Sequence, residues 1–106
     1  MGDEMIIKVP SKIKIGIHEY AVVYNPRLWH EENLRGLINH LSQRIEIDPM
    51  LAHSQQIVTL LHEVNHIVND NFRCKLDDDE IDKMAEGFAE FLVDNLGLEF
   101  DFSDIK

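Results

Sequence analysis

Alternating apolar and polar residues mark the first half of the chain as β structure. Residues 13–24 read IKIGIHEYAVVY, in which Ile13, Ile15 and Ile17 alternate with polar or small residues. A period of two is typical of a half-buried strand, and the aromatic and β-branched run that follows predicts a second strand. We therefore expect a hairpin here, which Asn25-Pro26 ends.

A second hairpin is predicted over residues 36–48. Residues 36–40 and 44–48 form its two strands, and Ile45 and Ile47 face one side while their charged neighbours face the other. Residues 27–34, between the two hairpins, are compatible with a short helical turn.

The second half of the chain has the period of an α-helix. Over residues 54–70, apolar residues recur three or four positions apart, and Ser54 is the candidate N-cap. These residues are Ile57, Leu60, Leu61, Val64, Ile67 and Val68.

A closing helix is predicted over residues 78–96. Asp77 with Glu80 three residues later resembles a capping box, and Gly97 suits the C-terminal end. Its apolar stripe, which we expect to belong to the core, consists of Ile81, Met84, Ala85, Phe88, Phe91 and Leu92.

These elements predict an α+β fold in one domain over residues 1–106. A small antiparallel sheet (about 13–48) precedes the first helix (about 54–70) and the closing helix (about 78–96), and residues 98–106 form an acidic tail. A chain of 106 residues is long enough for one modest core.

Charge and cysteine content narrow the function. Ten Lys and Arg against 20 Asp and Glu give a net charge of −10, which argues against a nucleic-acid partner and an anionic membrane surface. Cys74 has no second cysteine to pair with, and Asp3 and Glu4 lie where a signal peptide carries basic residues. We expect a cytoplasmic protein without a membrane span.

The candidate chemistry lies inside the first predicted helix, which reads LLHEVNHIV. His62 and His66 are one helical turn apart, so both imidazoles project from one face and can hold a zinc ion. Glu63 can serve as a general base without being a ligand. This is the arrangement of the H-E-x-x-H motif, and the apolar flanks give it the packed helix that the motif requires.

HEVNH, the acidic run after it and IDKMAEGFAEFLVDN resemble the zincin-type metallopeptidases of the ImmA/IrrE kind, particularly the short versions of bacteriophages and prophages. The similarity covers most of residues 13–96, including the hairpin GLINHLSQRIEID before the metal helix. It implies one Zn²⁺ held by two His and one carboxylate, with His62 and His66 as ligands and Glu63 as the base. The implied substrate is a protein or peptide, cleaved in a bacterial host cytoplasm if the chain is phage-derived.

The third ligand is where this chain departs from the family, which usually has Glu where this chain has mostly Asp. An Asp side chain is shorter by one bond, about 1.5 Å. Helical phase favours Asp78, which shares the inward face of Ile81 and Ala85, with Asp82 as the alternative. The remaining acids stay open as ligands: Asp79, Glu80 and Glu86.

For several other residues the sequence gives weaker support for a role at the site. Asn69 is a candidate for orienting a ligand, Trp29 for core or a partial lid, and Cys74 is expected to be inert. The oxyanion donor is open among two tyrosines and the remaining histidines: Tyr20, Tyr24, His18, His30, His40 and His53.

The sequence thus predicts a zinc metallopeptidase that hydrolyses a peptide bond. The alternative is a non-catalytic phage accessory protein with a structural or binding zinc site. An open coordination position beside Glu63 would favour the first, and four protein ligands the second.

Overall fold

The computed structural model describes residues 5–106 and has an α+β architecture. Asp3 and Glu4, on which the expectation about a signal peptide rests, lie outside the described residues. The strands are β1 (Met5–Lys8), β2 (Lys12–Ile15), β3 (His18–Tyr24), β4 (Gly36–Asn39), β5 (Arg44–Ile47) and β6 (Leu98–Asp101). The helices are α1 (Leu28–Glu32), α2 (His53–Phe72) and α3 (Asp78–Glu90), followed by a π-helical turn (Phe91–Asn95).

Both predicted hairpins are confirmed. β2 pairs antiparallel with β3, and β4 pairs antiparallel with β5. Ile13 and Ile15 are half-buried as expected, whereas Ile17 is almost fully exposed because it lies in the tight turn at Gly16, whose φ is +63°.

The prediction of an antiparallel sheet is wrong. The strand order is β2-β3-β5-β4, and β3 runs parallel to β5. After β3, the segment that carries α1 leads the chain to β4 at the edge of the sheet. β5 then returns antiparallel to β4 and fills the position between β3 and β4. β4 starts at the end of the sheet where β3 stops, so β4 runs opposite to β3, and its antiparallel partner β5 runs parallel to β3.

The acidic tail is partly a strand. β6 pairs in parallel with β1, Met5 opposite Leu98, to form a separate two-stranded sheet. Phe102 and Ile105 beyond it are buried in the core. Burial of these two apolar side chains favours packing of the segment against the core. The net negative charge of the tail does not indicate this.

The core lies between the four-stranded sheet and α2. Inward residues of β3 and β5 meet the apolar stripe of α2 there. The fully or almost fully buried members are Val22, Ile45, Ile47, Ile57, Leu60 and Ile67. This packing fixes α2, the helix that carries HEVNH, against the sheet. No helix within residues 5–106 is long and apolar enough to cross a membrane.

The helix ends differ from prediction in two places. α2 begins at His53 with Ala52 at the N-cap, so Ser54 lies inside the first turn and does not cap it. α3 does begin with the predicted capping box of Asp77 and Glu80, but its α-helical geometry ends at Glu90. The π-helical turn then continues to Asn95, and Gly97 follows with a φ of +67°.

The apolar stripe of the closing helix is not all core. Ile81, Ala85 and Ala89 are buried, but Met84, Phe88 and Phe91 are exposed. The two sets lie on adjacent faces of the helix, and only the first faces α2. The apolar residues that share the 3.6-residue period of this helix therefore form two faces, one buried and one exposed.

Candidate metal centre

The backbone of α2 brings the two histidines together. His62 and His66 are one turn apart on a partly buried face of the helix, and their Nε2 atoms are 3.0 Å apart. Their rings meet edge to face, with centroids 4.6 Å apart. Two nitrogen atoms at this separation can share a hydrogen bond or a metal ion.

Glu63 lies on the buried side of the same turn. Only 7% of the residue is exposed, and its Oε1 is 3.8 Å from Nε2 of His62. Because burial penalises the charged carboxylate, the pKa of Glu63 is raised from 4.5 to about 7. Within the part of the chain that the structure describes, no Lys or Arg side chain forms an ion pair with Glu63.

Burial also acts on His62. Desolvation, followed by the proximity of His66, lowers the pKa of His62, and Asp82 partly opposes the shift. The neutral imidazole is therefore favoured near neutral pH. Metal ligation requires this form, since a protonated ring nitrogen has no free electron pair.

His62, Glu63 and His66 form a group that could hold a metal ion, with one ligand atom from each lying within 4.8 Å of the others. Zinc binds imidazole nitrogen at ~2.0–2.1 Å, so two ligands of one tetrahedral ion lie about 3.3 Å apart. The observed 3.0 Å separation of the Nε2 atoms needs only a small adjustment. The donor set therefore fits a metal ion.

The first two turns of α3 bring Asp78 and Asp82 to opposite sides of this pair. Oδ1 of Asp78 is 3.8 Å from Nε2 of His66, on the side where the two Nε2 atoms face each other. Oδ1 of Asp82 is 3.4 Å from Nδ1 of His62, the opposite ring nitrogen. The Asp78 side chain is 93% exposed, so little protein surface covers it.

The connector between α2 and α3 sets these distances. The Asn69 side chain donates from Nδ2 to the carbonyl of Leu76 at 3.2 Å and accepts the Leu76 N–H at 2.9 Å. Within the described residues the Asn69 amide hydrogen-bonds Leu76 and no histidine, unlike the expectation that it orients a ligand. Asn69 instead fixes where α3 begins, and with it Asp78 and Asp82.

A cavity of about 300 Å³ opens beside His62 and Glu63. Its other walls come from the α1–β4 segment, α2 and α3: Trp29, Asn33, Leu34, Arg35, Gly36, Val58, Thr59 and Asp82. Trp29 thus lines the cavity and is not core. Sequence reasoning did not single out Arg35, Gly36 or Thr59, because no local pattern shows that β4 lies against α2.

The buried carboxylate of Asp48 holds this wall in place. Its Oδ2 accepts the backbone N–H of Trp29 at 2.9 Å, and its Oδ1 accepts that of Met50 at 2.9 Å. Asp48 thereby anchors the start of α1, from which Trp29 projects.

Comparison with protein-family models, curated proteins and solved structures finds no match.

The remaining candidates lie away from the cavity. Tyr24 donates its hydroxyl to Oε1 of Gln56 at 2.8 Å, and Tyr20 is buried between the rings of His18 and His40. Neither tyrosine lines the cavity. Its polar donors are instead Arg35, Asn33 and Thr59.

The other histidines and the cysteine have separate surroundings. His18 contacts Gln43, Nε2 of His40 is 3.7 Å from Asp70, and the His53 ring packs edge-on against Phe102. His30 is an exposed residue of α1, and Cys74 is a free, exposed thiol.

Proposed function

We propose that this chain is a zinc-dependent metallopeptidase of the zincin type, with His62, His66 and Asp78 as ligands and Glu63 as the general base. One observation carries the proposal. The two Nε2 atoms lie 3.0 Å apart beside a buried carboxylate, and a cavity opens beside His62 and Glu63. Histidine nitrogen with carboxylate oxygen is a ligand set typical of catalytic zinc.

The motif context supports the same function. The HEVNH segment lies on a helix packed against a sheet, and an acidic helix follows it, as the resemblance to the ImmA/IrrE metallopeptidases implies. By that resemblance the substrate is a protein or peptide. The cavity of about 300 Å³ has room for a side chain beside the reacting bond.

The residues divide the work as follows. Zinc, when bound, polarises the scissile carbonyl and makes water a stronger acid. Glu63 takes the proton from that water and later delivers it to the leaving amine. Oδ1 of Asp82 lies 3.4 Å from Nδ1 of His62 and favours a proton there, which leaves the Nε2 electron pair free for the ion. Arg35 is the cationic donor on the cavity wall for the oxygen of the substrate.

The number of ligands favours catalysis over the structural alternative. A structural zinc site closes with four protein ligands, most often Cys or His. Within residues 5–106, the metal-binding group contains no Cys and no His besides His62 and His66. With His62, His66 and Asp78 as ligands and Glu63 as the base, a fourth position would remain for water.

Glu63→Gln tests the proposal. The amide keeps the shape of the side chain but cannot accept a proton, so zinc should stay bound while hydrolysis falls by about 10²–10⁴-fold. Zinc content is measured by mass spectrometry of untagged protein, and hydrolysis with a degenerate library of internally quenched peptides. Glu19→Gln, at an exposed position in β3, is the matched control and should retain activity.

Two results would contradict the proposal. Cleavage by the Glu63→Gln variant at the wild-type rate would show that Glu63 is not the base. A zinc-loaded wild type that cleaves no member of the library would favour the non-catalytic accessory protein.

A further inference from the structure

α3 and the π-helical turn after it have an apolar face that no other element of residues 5–106 fully covers. Met84, Phe88 and Phe91 lie along one side of the helix at intervals of four and three residues, and Phe88 is 48% exposed. Three large apolar side chains at this spacing form the stripe by which amphipathic helices recognise one another. We call this set the α3 outer face.

A depression lies in the middle of the α3 outer face. Gly87 has no side chain, and a Cβ built there would meet no other atom within 4 Å. With Met84, Phe88 and Phe91 it lines a cavity of about 330 Å³. That space accepts one large apolar side chain, such as Leu or Phe, from a bound partner.

Carboxylates surround the α3 outer face. Glu80 is one turn before Met84, Asp94 is three residues after Phe91, and Glu90 is three residues after Gly87. All three are exposed. The rim is therefore acidic at both ends of the stripe and along one side.

The cation on α3 does not offset this charge. Lys83 is the single basic residue between positions 78 and 95, and its Nζ is 2.9 Å from Oδ2 of Asp79. The charge that a partner meets at the rim is thus negative.

We propose that the α3 outer face binds a basic amphipathic helix of another protein. Its apolar side chains would cover Met84, Phe88 and Phe91, with one entering the depression at Gly87, and its Lys or Arg side chains would pair with Glu80, Glu90 and Asp94. Charge complementarity selects this occupant. A second copy of this chain would place acidic rim against acidic rim, in a molecule of net charge −10.

The probe is a fluorescein-labelled helical peptide of about 18 residues with Leu on one face and Lys on the other. Two comparison peptides replace Lys with Glu or Leu with Ser. Fluorescence anisotropy should show binding of the Leu/Lys peptide alone. Its affinity should fall as NaCl is raised from about 50 to about 300 mM, because salt screens the rim charges.

Variants locate the binding face without changing the net charge. Phe88→Ser should weaken binding by about tenfold or more, since it removes a large apolar contact. Gly87→Leu should do the same by filling the depression, while Leu remains favourable in a helix. Leu41→Ser is the matched control, because Leu41 is 98% exposed in the β4–β5 turn, and it should bind as wild type. Circular dichroism of each variant reports whether it is folded.

Three results would overturn the inference. One is equal binding of the Leu/Lys and Ser/Lys peptides, which would mean that charge alone attracts them. Another is unchanged binding in folded Phe88→Ser and Gly87→Leu proteins. The third is a dimer in sedimentation that Phe88→Ser dissociates, since a second copy would then be the occupant.

Discussion

His62 has a different partner at each ring nitrogen. Nε2 faces His66 at 3.0 Å, and Nδ1 faces Asp82 at 3.4 Å. A carboxylate beside Nδ1 favours the tautomer with the proton on Nδ1, and the free electron pair is then on Nε2. Asp78 lies instead on the Nε2 side of His66. The two aspartates, which helical phase alone barely separates, therefore suit different tasks.

Substitution should separate these tasks. Asp78→Ala removes a proposed ligand, and Asp82→Ala removes a partner of a ligand, which typically costs about 10–100-fold in metal affinity. We expect the Asp78 variant to lose more zinc affinity than the Asp82 variant. Competition with a chromophoric chelator measures both.

Asp79→Ala is the control for these two variants. Asp79 is on the same helical turn, but its carboxylate pairs with Lys83, so zinc affinity should not change. A larger loss for Asp82→Ala than for Asp78→Ala would make Asp82 the ligand.

Among the elements, β4 and α2 make the contact that shapes the site. Gly36 of β4 lies so close to α2 that a Cβ on it would be 2.5 Å from Cγ2 of Thr59 and 3.3 Å from Cγ of Glu63. It would also be 3.2 Å from the carbonyl oxygen of Glu46 in β5. The missing side chain therefore allows the edge strand to pack directly against the helical turn that carries the proposed base.

Gly36→Ala should disturb both stability and the position of Glu63. One methyl group inserted into a packed contact typically costs about 1–3 kcal/mol, and relief of the clash shifts Thr59 or Glu63. Urea denaturation should show the lower free energy of unfolding, and the peptide-library assay a lower rate of hydrolysis.

Gly87→Ala provides the contrast. Its new methyl group meets no other atom within 4 Å, and Ala is favoured over Gly in a helix by about 1 kcal/mol. The free energy of unfolding should rise. Equal destabilisation by both substitutions would show that the close approach at Gly36 is not the cause.

Local patterns predicted the hairpins and both long helices, because each depends on neighbouring residues. They did not predict that β3 and β5 are parallel, since alternation shows which face of a strand is buried but not which strand lies beside it. Likewise, the 3.6-residue period shows that Phe88 is in phase with the other apolar residues of α3. It does not show whether another element covers Phe88.

The candidate site divides in the same way. The approach of His62 to His66 follows from one turn of helix, so the sequence is enough to predict it. Gly36 and Trp29 come to the cavity from other elements, through strand pairing and the buried carboxylate of Asp48. Such contacts depend on how all the elements pack together, so the spacing of residues in the sequence does not predict them.

At the scale of the whole molecule, the proposed metal links α2 to α3. Asp78, the third proposed ligand, is the first residue of α3, and a short connector joins α3 to α2. The Asp78 side chain is exposed. A bound ion would hold the first turn of α3 against α2. Metal binding and folding stability should then be coupled.

Zinc should therefore raise the free energy of unfolding. A ligand at about 100 times its dissociation constant, with no affinity for the unfolded chain, adds about 2.7 kcal/mol. Chelator should remove this gain, as measured by urea denaturation with and without zinc. In the double variant His62→Ala/His66→Ala zinc should add nothing, whereas His18→Ala should respond as wild type. Equal stabilisation of the double variant would place the metal elsewhere.

The parallel pairing of β1 with β6 has a consequence for biosynthesis. Met5 leaves the ribosome long before Leu98, its opposite residue in the ladder. Meanwhile the four-stranded sheet and α2 can assemble, but the apolar segment of β1 has no strand to pair with. Until translation reaches β6, the backbone N–H and C=O groups of β1 therefore lack their partner strand. We expect a chaperone to bind β1 most readily during that interval.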